Sequence, residues 1–105
     1  MAGVGKLMKQ AAKIQRQMEQ KQAELAERVI EASSGGGAVT VSMTCDNSKV
    51  TAIKISKESV DPDDVEMLED LVLSAMNAAI EKAKEISNEE MGKLTSGMNL
   101  PPGIM

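Results

Sequence analysis

VDPDDVEMLEDLVLSAMNAAIEKAKEISNEE, residues 60–90, reads as one long helix around which the rest of the chain is arranged. Asp61 suits the cap, Pro62 the first helical position, and Asp63 and Asp64 the positive end of the helix dipole. Val60 and Val65 flank this start at the spacing of a hydrophobic staple. Val65, Leu68, Val72, Ala75, Ala79, Ala83 and Ile86 then recur every three or four residues, forming one apolar stripe. No Gly or Pro interrupts it before Gly92. At about 1.5 Å per residue the rod is about 40 Å long, more than the ~30 Å width of a small domain. A helix of that length projects into water or packs on something outside its own domain. The small residues Ala75, Ala78 and Ala79 would admit a close neighbour. The expectation is that Leu68, Val72, Ala75 and Ala79 form the centre of a dimer.

The composition supports association. The 105 residues fit a single domain, and they contain nine Met and no Phe, Trp or Tyr. A core of Met, Ala, Val, Ile and Leu is adaptable, and without aromatic anchors a chain this short gains little from burial alone. There is no His and one Cys. Those counts exclude an internal disulfide and a zinc cluster of ordinary ligand number. They also remove the usual general base and the usual partner of a nucleophilic Ser or Cys. No catalytic residue, metal site or cofactor is expected, and the protein is read as a non-enzyme. Cys45 reads as a small apolar residue at a strand end. No secretory signal or membrane-length run is visible, so a cytoplasmic protein without membrane contact is expected.

The net charge of −4 hides an asymmetry. Residues 1–28 hold six bases (Lys6, Lys9, Lys13, Arg16, Lys21, Arg28) against three acids, a net of +3. Residues 58–70 hold seven acids and no base. A polyanion is therefore compatible with the chain, provided that it binds near the start.

Residues 6–27 read as a first helix, following a flexible stretch 1–5. Leu7, Ala11, Ile14, Met18 and Leu25 form an apolar seam of the heptad type, with Lys21 at the missing position. Lys6, Lys9, Lys13 and Arg16 form a second stripe, roughly 130° round the helix. These bases are either a solvated face or a phosphate-tracking one. Residues 28–32 then continue the helix or begin a strand, and Val29-Ile30 before Ser33-Ser34-Gly35-Gly36-Gly37 favours a strand closed by a turn. The glycines lack the spacing of a phosphate-binding loop. Val39, Val41 and Met43 alternate with Thr40, Ser42 and Thr44, and residues 49–55 alternate again after the Asp46-Asn47-Ser48 turn. In that alternation Thr51, Ile53 and Ile55 share one face, and Val50, Ala52 and Lys54 the other. The fold class is α+β: helix, a short antiparallel three-stranded sheet, and a helix. Residues 91–105 mix breakers with Leu94, Met98, Leu100 and Ile104 and read as a flexible or docking tail, with Pro101-Pro102 extended.

Several of these stretches together resemble the YbaB/EbfC family of bacterial nucleoid-associated proteins. They are Gly5-Lys6-Leu7-Met8-Lys9-Gln10-Ala11, the Gly-rich hairpin before Ala38-Val39-Thr40-Val41, and Glu66-Met67-Leu68-Glu69-Asp70-Leu71-Val72. The closing Ser96-Gly97-Met98-Asn99-Leu100-Pro101-Pro102-Gly103 belongs with them, and the order is the family's over essentially the whole chain. Two departures concern a turn, Cys45-Asp46-Asn47-Ser48 in place of a Gly-containing one, and Met76 where a Phe is often found. The resemblance implies one domain over residues 1–105, an α-β-β-β-α protomer that forms a homodimer with projecting first helices. It also implies duplex DNA binding with loose sequence preference, a nucleoid location, and replication or recombination proteins as further partners. The expected DNA contacts are Lys6, Lys9, Lys13 and Arg16, with Lys93 as a lesser one. The lack of aromatic residues argues against a single-strand stacking platform. The alternative is a protein-interaction module that recruits replication or recombination proteins, with DNA incidental to it.

Overall fold

The structure, a computed structural model, describes residues 2–96. The elements are helix α1 (Ala2–Glu27), strands β1 (Val29–Ser34), β2 (Val39–Thr44) and β3 (Val50–Ile55), a single 3₁₀ turn (Lys57–Ser59), and helix α2 (Val65–Ser96). The strands form one antiparallel sheet in the order β1-β2-β3. This is the expected α-β-β-β-α arrangement. The first helix begins earlier than its composition suggested: residues 2–5 are helical despite Gly3 and Gly5. The closing residues of the tail, 97–105, lie outside the described residues.

The β1–β2 connection depends on glycine. Gly35, Gly36 and Gly37 all have positive φ, a conformation costly for residues with a Cβ. A Cβ added at Gly35 would also lie 2.7 Å from Leu71 Cδ2, because the hairpin abuts α2 there. Ser34 secures the same contact, its hydroxyl donating to the Leu71 carbonyl at 2.5 Å. The β2–β3 turn manages without glycine. Asn47 takes φ 64°, which Asn tolerates best after Gly. Asp46 closes the turn, its carboxylate accepting from Thr44 Oγ1 at 2.6 Å, Ser48 Oγ at 2.7 Å and Ser48 N at 3.1 Å. Those bonds hold the Asp46 carboxyl below the usual carboxylate range, with the Thr44 hydroxyl contributing most.

One sheet face carries the core. Ile30, Val39, Val41, Met43 and Cys45 are buried there with Leu25 of α1 and Ala75, Ala79 and Ala83 of α2. The alanines explain the close seating of helix on sheet, since their stubs let the α2 backbone approach the strands. α2 packs on β1 and β2, whereas every residue of β3 is exposed. A β-bulge between Ser42 and Met43 leaves Thr51 without a partner and pairs Val50 with Met43. Val50 therefore shares the inner face with Ile53 and Ile55, a correction to the simple alternation expected from sequence.

The start of α2 also differs from expectation. Asp61 does not cap the helix: it organises a turn, accepting from Asp63 N at 2.9 Å. Asp64 is the cap, its carboxylate accepting from Met67 N at 3.2 Å. Pro62 lies in the turn, and Val60 and Val65 are each about half exposed. The helix also continues past Glu90 and through Gly92 to Ser96. A lone helical glycine costs about 1 kcal/mol relative to alanine, which flanking contacts outweigh. Met91 and Leu94, either side of it, are half-buried.

Candidate nucleic-acid interface

The direction of α1 follows from its junction with the core. Arg28 alone separates α1 from β1, and its carbonyl accepts from Cys45 N at 2.9 Å. β1 runs antiparallel to α2: Ser34 meets Leu71, Lys82 Nζ donates to the Glu31 carbonyl at 2.8 Å, and Arg28 reaches Glu90 at 3.8 Å. At about 1.5 Å per residue α1 and α2 are about 39 and 48 Å long. The molecule measures 74 × 26 × 16 Å, so both rods must lie near the long axis. They overlap at their C-terminal parts, and the first half of α1 projects beyond α2.

Glu90 fastens this overlap. Its carboxylate takes Lys21 at 3.3 Å, Lys93 at 3.5 Å and Arg28 at 3.8 Å. Leu25 is buried beside it, in a depression also lined by Gln22, Asp46, Ser87 and Met91. The Lys21 hydrogen bond, then the Lys93 charge, hold the Glu90 carboxyl below its usual 4.5. Hydrogen bonds to Glu24 and then Glu90 hold the Lys21 ammonium above its usual 10.5. The depressed carboxyl stabilises the fastening above pH ~4.5 and loses that contribution as pH falls through its own lower value. The raised ammonium contributes below pH ~10.5 and is lost as pH rises through its higher value. Hydrogen exchange of the amides of residues 18–27 is therefore expected to be level, after correction for intrinsic rates, between about pH 5 and 10. It should rise on the acid side, and Glu90→Gln should remove that acid dependence.

Along the projecting part, Lys6, Lys9, Lys13 and Arg16 are all exposed. The side of α1 facing the protein is marked by half-buried Ile14, Gln17 and Lys21 and buried Leu25. At about 100° per residue the four bases run from the flank of that face, where Lys6 and Lys13 lie, round towards its far side, where Lys9 and Arg16 lie, and all four are open to solvent. Arg16 Nε donates to the Ala12 carbonyl at 3.5 Å, and Lys6, Lys9 and Lys13 form no ion pair among the described residues. Lys93 differs, being engaged with Glu90 and set at the overlap rather than on the stripe. The acids of residues 58–70 surround the start of α2, at the opposite end of the long axis from the start of α1. The elongated fold thus separates the two charge clusters seen in the sequence.

A chain of this order and charge layout matches the YbaB/EbfC DNA-binding family over residues 1–98. The chain belongs to that family. Among its relatives, a protein of Alkaliphilus metalliredigens described as a nucleoid-associated protein is 50% identical over 95 residues, 90% of this chain and 82% of the relative. A nucleoid-associated protein of Bacillus thuringiensis is 45% identical over 104 residues, 99% and 94% of the two chains. The crystal structure of an uncharacterized Helicobacter pylori protein shares the fold, with a TM-score of 0.72 at 18% identity, over 85% of this chain and 92% of that one. Among the described residues no helix is long and apolar enough to cross a membrane.

The residues expected at a dimer contact are placed differently by the structure. Ala75 and Ala79 are fully buried against the protomer's own sheet, and Leu68 and Val72 are packed at the edge of the same core. This stripe serves helix-on-sheet packing, and the two alanines leave no surface for a second chain. The exposed apolar surface lies one flank over. Leu71 and Lys82 mark the β1 side of α2. By helical geometry Leu73, Met76 and Ile80 lie on the opposite flank, above uncovered β3. Leu73 is 59% exposed and Ile53, on the inner face of β3, 47%. Leu73 and Ile80, seven residues apart, were the available sequence signal for this flank.

Proposed function

We propose that the protein is a nucleoid-associated homodimer that binds duplex DNA through phosphate contacts from the α1 stripe, in an architectural or regulatory role. The observation that carries this reading is the display of Lys6, Lys9, Lys13 and Arg16 on the free side of a projecting helix, at the far end from the acids. Phosphate contacts supply most non-specific affinity and little sequence information, in keeping with low sequence preference. No aromatic side chain is present to stack on bases. The "nucleoid-associated" description of the relatives agrees with this role and location.

The homodimer is supported by the apolar trough over β3. Val50, Ile53 and Ile55 on the sheet and Leu73 and Ile80 on α2 are all exposed in the protomer. A second copy offers the same apolar trough, and a twofold arrangement would cover both at once. Two α1 helices per particle then act at high effective concentration, strengthening a weak individual contact.

Titration of a labelled random-sequence duplex by fluorescence anisotropy, across salt, tests the DNA reading. Engagement of all four bases on both protomers gives a slope of about −7 for log K against log salt, at roughly 0.9 per phosphate. Affinity independent of salt, or no binding at low salt, would remove phosphate tracking as the mode of action.

A further inference from the structure

The two charge clusters of the chain each surround exposed apolar side chains. Residues 1–16 hold four bases and no acid, and residues 58–70 seven acids and no base. On α1, Val4 is 54%, Leu7 65% and Met8 69% exposed. They prolong the side of the helix on which Ile14 is half-buried and Leu25 buried, so the strip is an outward continuation of the core. Lys6 and Lys13 border it, one residue before Leu7 and Ile14 and about 100° round the helix. At the other end of the molecule Val60 and Val65 are each about half exposed. Glu66 and Glu69 border Val65, about 100° and 40° round α2 from it. Among the described residues nothing covers either patch.

Charge decides what can cover them. The lysine stems widen the α1 strip, and their ammonium groups call for an acidic border on whatever lies against it. The start of α2 supplies an apolar patch with that border. Pairing two α1 tips, or two α2 starts, would instead set like charges against each other. Within one protomer the tip and the start stand at opposite ends of a molecule 74 Å long and cannot meet. A copy displaced along that axis brings its α1 beside the α2 start of its neighbour. The two helices are then antiparallel, the relation they already have in the overlap at Glu90.

We propose that the apolar, basic tip of α1 docks on the acidic start of α2 in a second copy, linking molecules head to tail. Each molecule keeps a free tip at one end and a free start at the other, so the contact does not close and chains grow. The twofold contact over β3 differs in being self-complementary and complete at two copies. A docked tip engages Lys6 and Lys13, so on the phosphate-binding reading of these bases one α1 holds either DNA or the next molecule. The docking itself does not rest on that reading.

Sedimentation velocity of the full chain without nucleic acid, over a range of protein concentration, tests it. At low salt the average mass should grow with concentration without levelling off at two copies. At high salt the growth should disappear, since the exposed charges are then screened. Lys6→Glu with Lys13→Glu should abolish the growth, and so should Glu66→Lys with Glu69→Lys. In an equimolar mixture the intact tip of one variant meets the intact start of the other, and the mass should rise above that of either variant alone. Such a rise requires both variants to be folded. Leu7→Asp should abolish growth without touching the bases. No growth of the wild-type chain at low salt, growth indifferent to salt, or a mixture as small as its components would each overturn the docking.

Discussion

Reversing two charges, Lys9→Glu with Lys13→Glu, should weaken duplex binding by about a hundredfold at 200 mM salt while leaving the fold intact. Both side chains are exposed on the projecting part of α1, and neither takes part in an ion pair among the described residues. The double change removes four phosphate contacts from a dimer, and at roughly 0.9 each the salt slope flattens by about 3.6. The flatter slope makes the gap between wild type and variant widest at low salt. It remains about two decades or more at 200 mM and is about two decades larger at 50 mM, before the repulsion added by the new carboxylates. Anisotropy across salt measures both quantities on one preparation. Lys54→Glu with Lys57→Glu, two exposed bases outside α1, is the charge-matched control and should change affinity by less than about threefold. Equal losses in the two variants would mean that overall charge, not the α1 stripe, governs binding.

Leu73→Asp, or separately Ile53→Asp, should convert the dimer into folded monomers. Both side chains are largely exposed in the protomer, so a carboxylate there costs the single chain little. Across a twofold contact each change buries two unpaired charges, at several kcal/mol in total. A dimer of micromolar affinity has about 8 kcal/mol of association free energy, so a loss of that size dissociates it under ordinary working concentrations. Sedimentation velocity reads the mass and far-UV circular dichroism the retained secondary structure. DNA affinity should fall with the mass, because bivalency disappears even though every base of the stripe remains. Intact dimers in both variants would assign assembly to another surface.

Much of this architecture was legible in the sequence, because periodicity records burial. Val39, Val41 and Met43 alternate since one sheet face carries the core, and the long stripe from Leu68 to Ile86 marks the side of α2 that meets it. The basic stripe was legible for the same geometric reason. What periodicity does not record is the identity of the neighbour. Ala75 and Ala79 announce close approach, and only the fold assigns that approach to the protomer's own strands. The bulge at Thr51 was hidden, since a strand sequence is equally regular with or without an unpaired residue opposite. Among Asp61, Asp63 and Asp64 the choice of cap depends on where the turn after Val60 leaves the chain. Both helices run past glycines at their expected ends: at Gly92 the half-buried Met91 and Leu94 offset the cost of about 1 kcal/mol, whereas Gly3 and Gly5 are helical without such contacts.

Cys45 turns this anatomy into a clock. The sequence has no tryptophan or tyrosine to report on unfolding, but its sole thiol is wholly buried where the end of β2 is hydrogen-bonded to the residue that joins α1 to β1. Burial pushes its pKa up, so in the closed state it is both hidden and poorly nucleophilic. A thiol reagent added to the native protein therefore reacts through molecules in which that joint has sprung open. With dilute reagent the labelling rate gives the open fraction, and with concentrated reagent the frequency of opening. Through its own cysteine the protein can show how often the root of its projecting helix lets go.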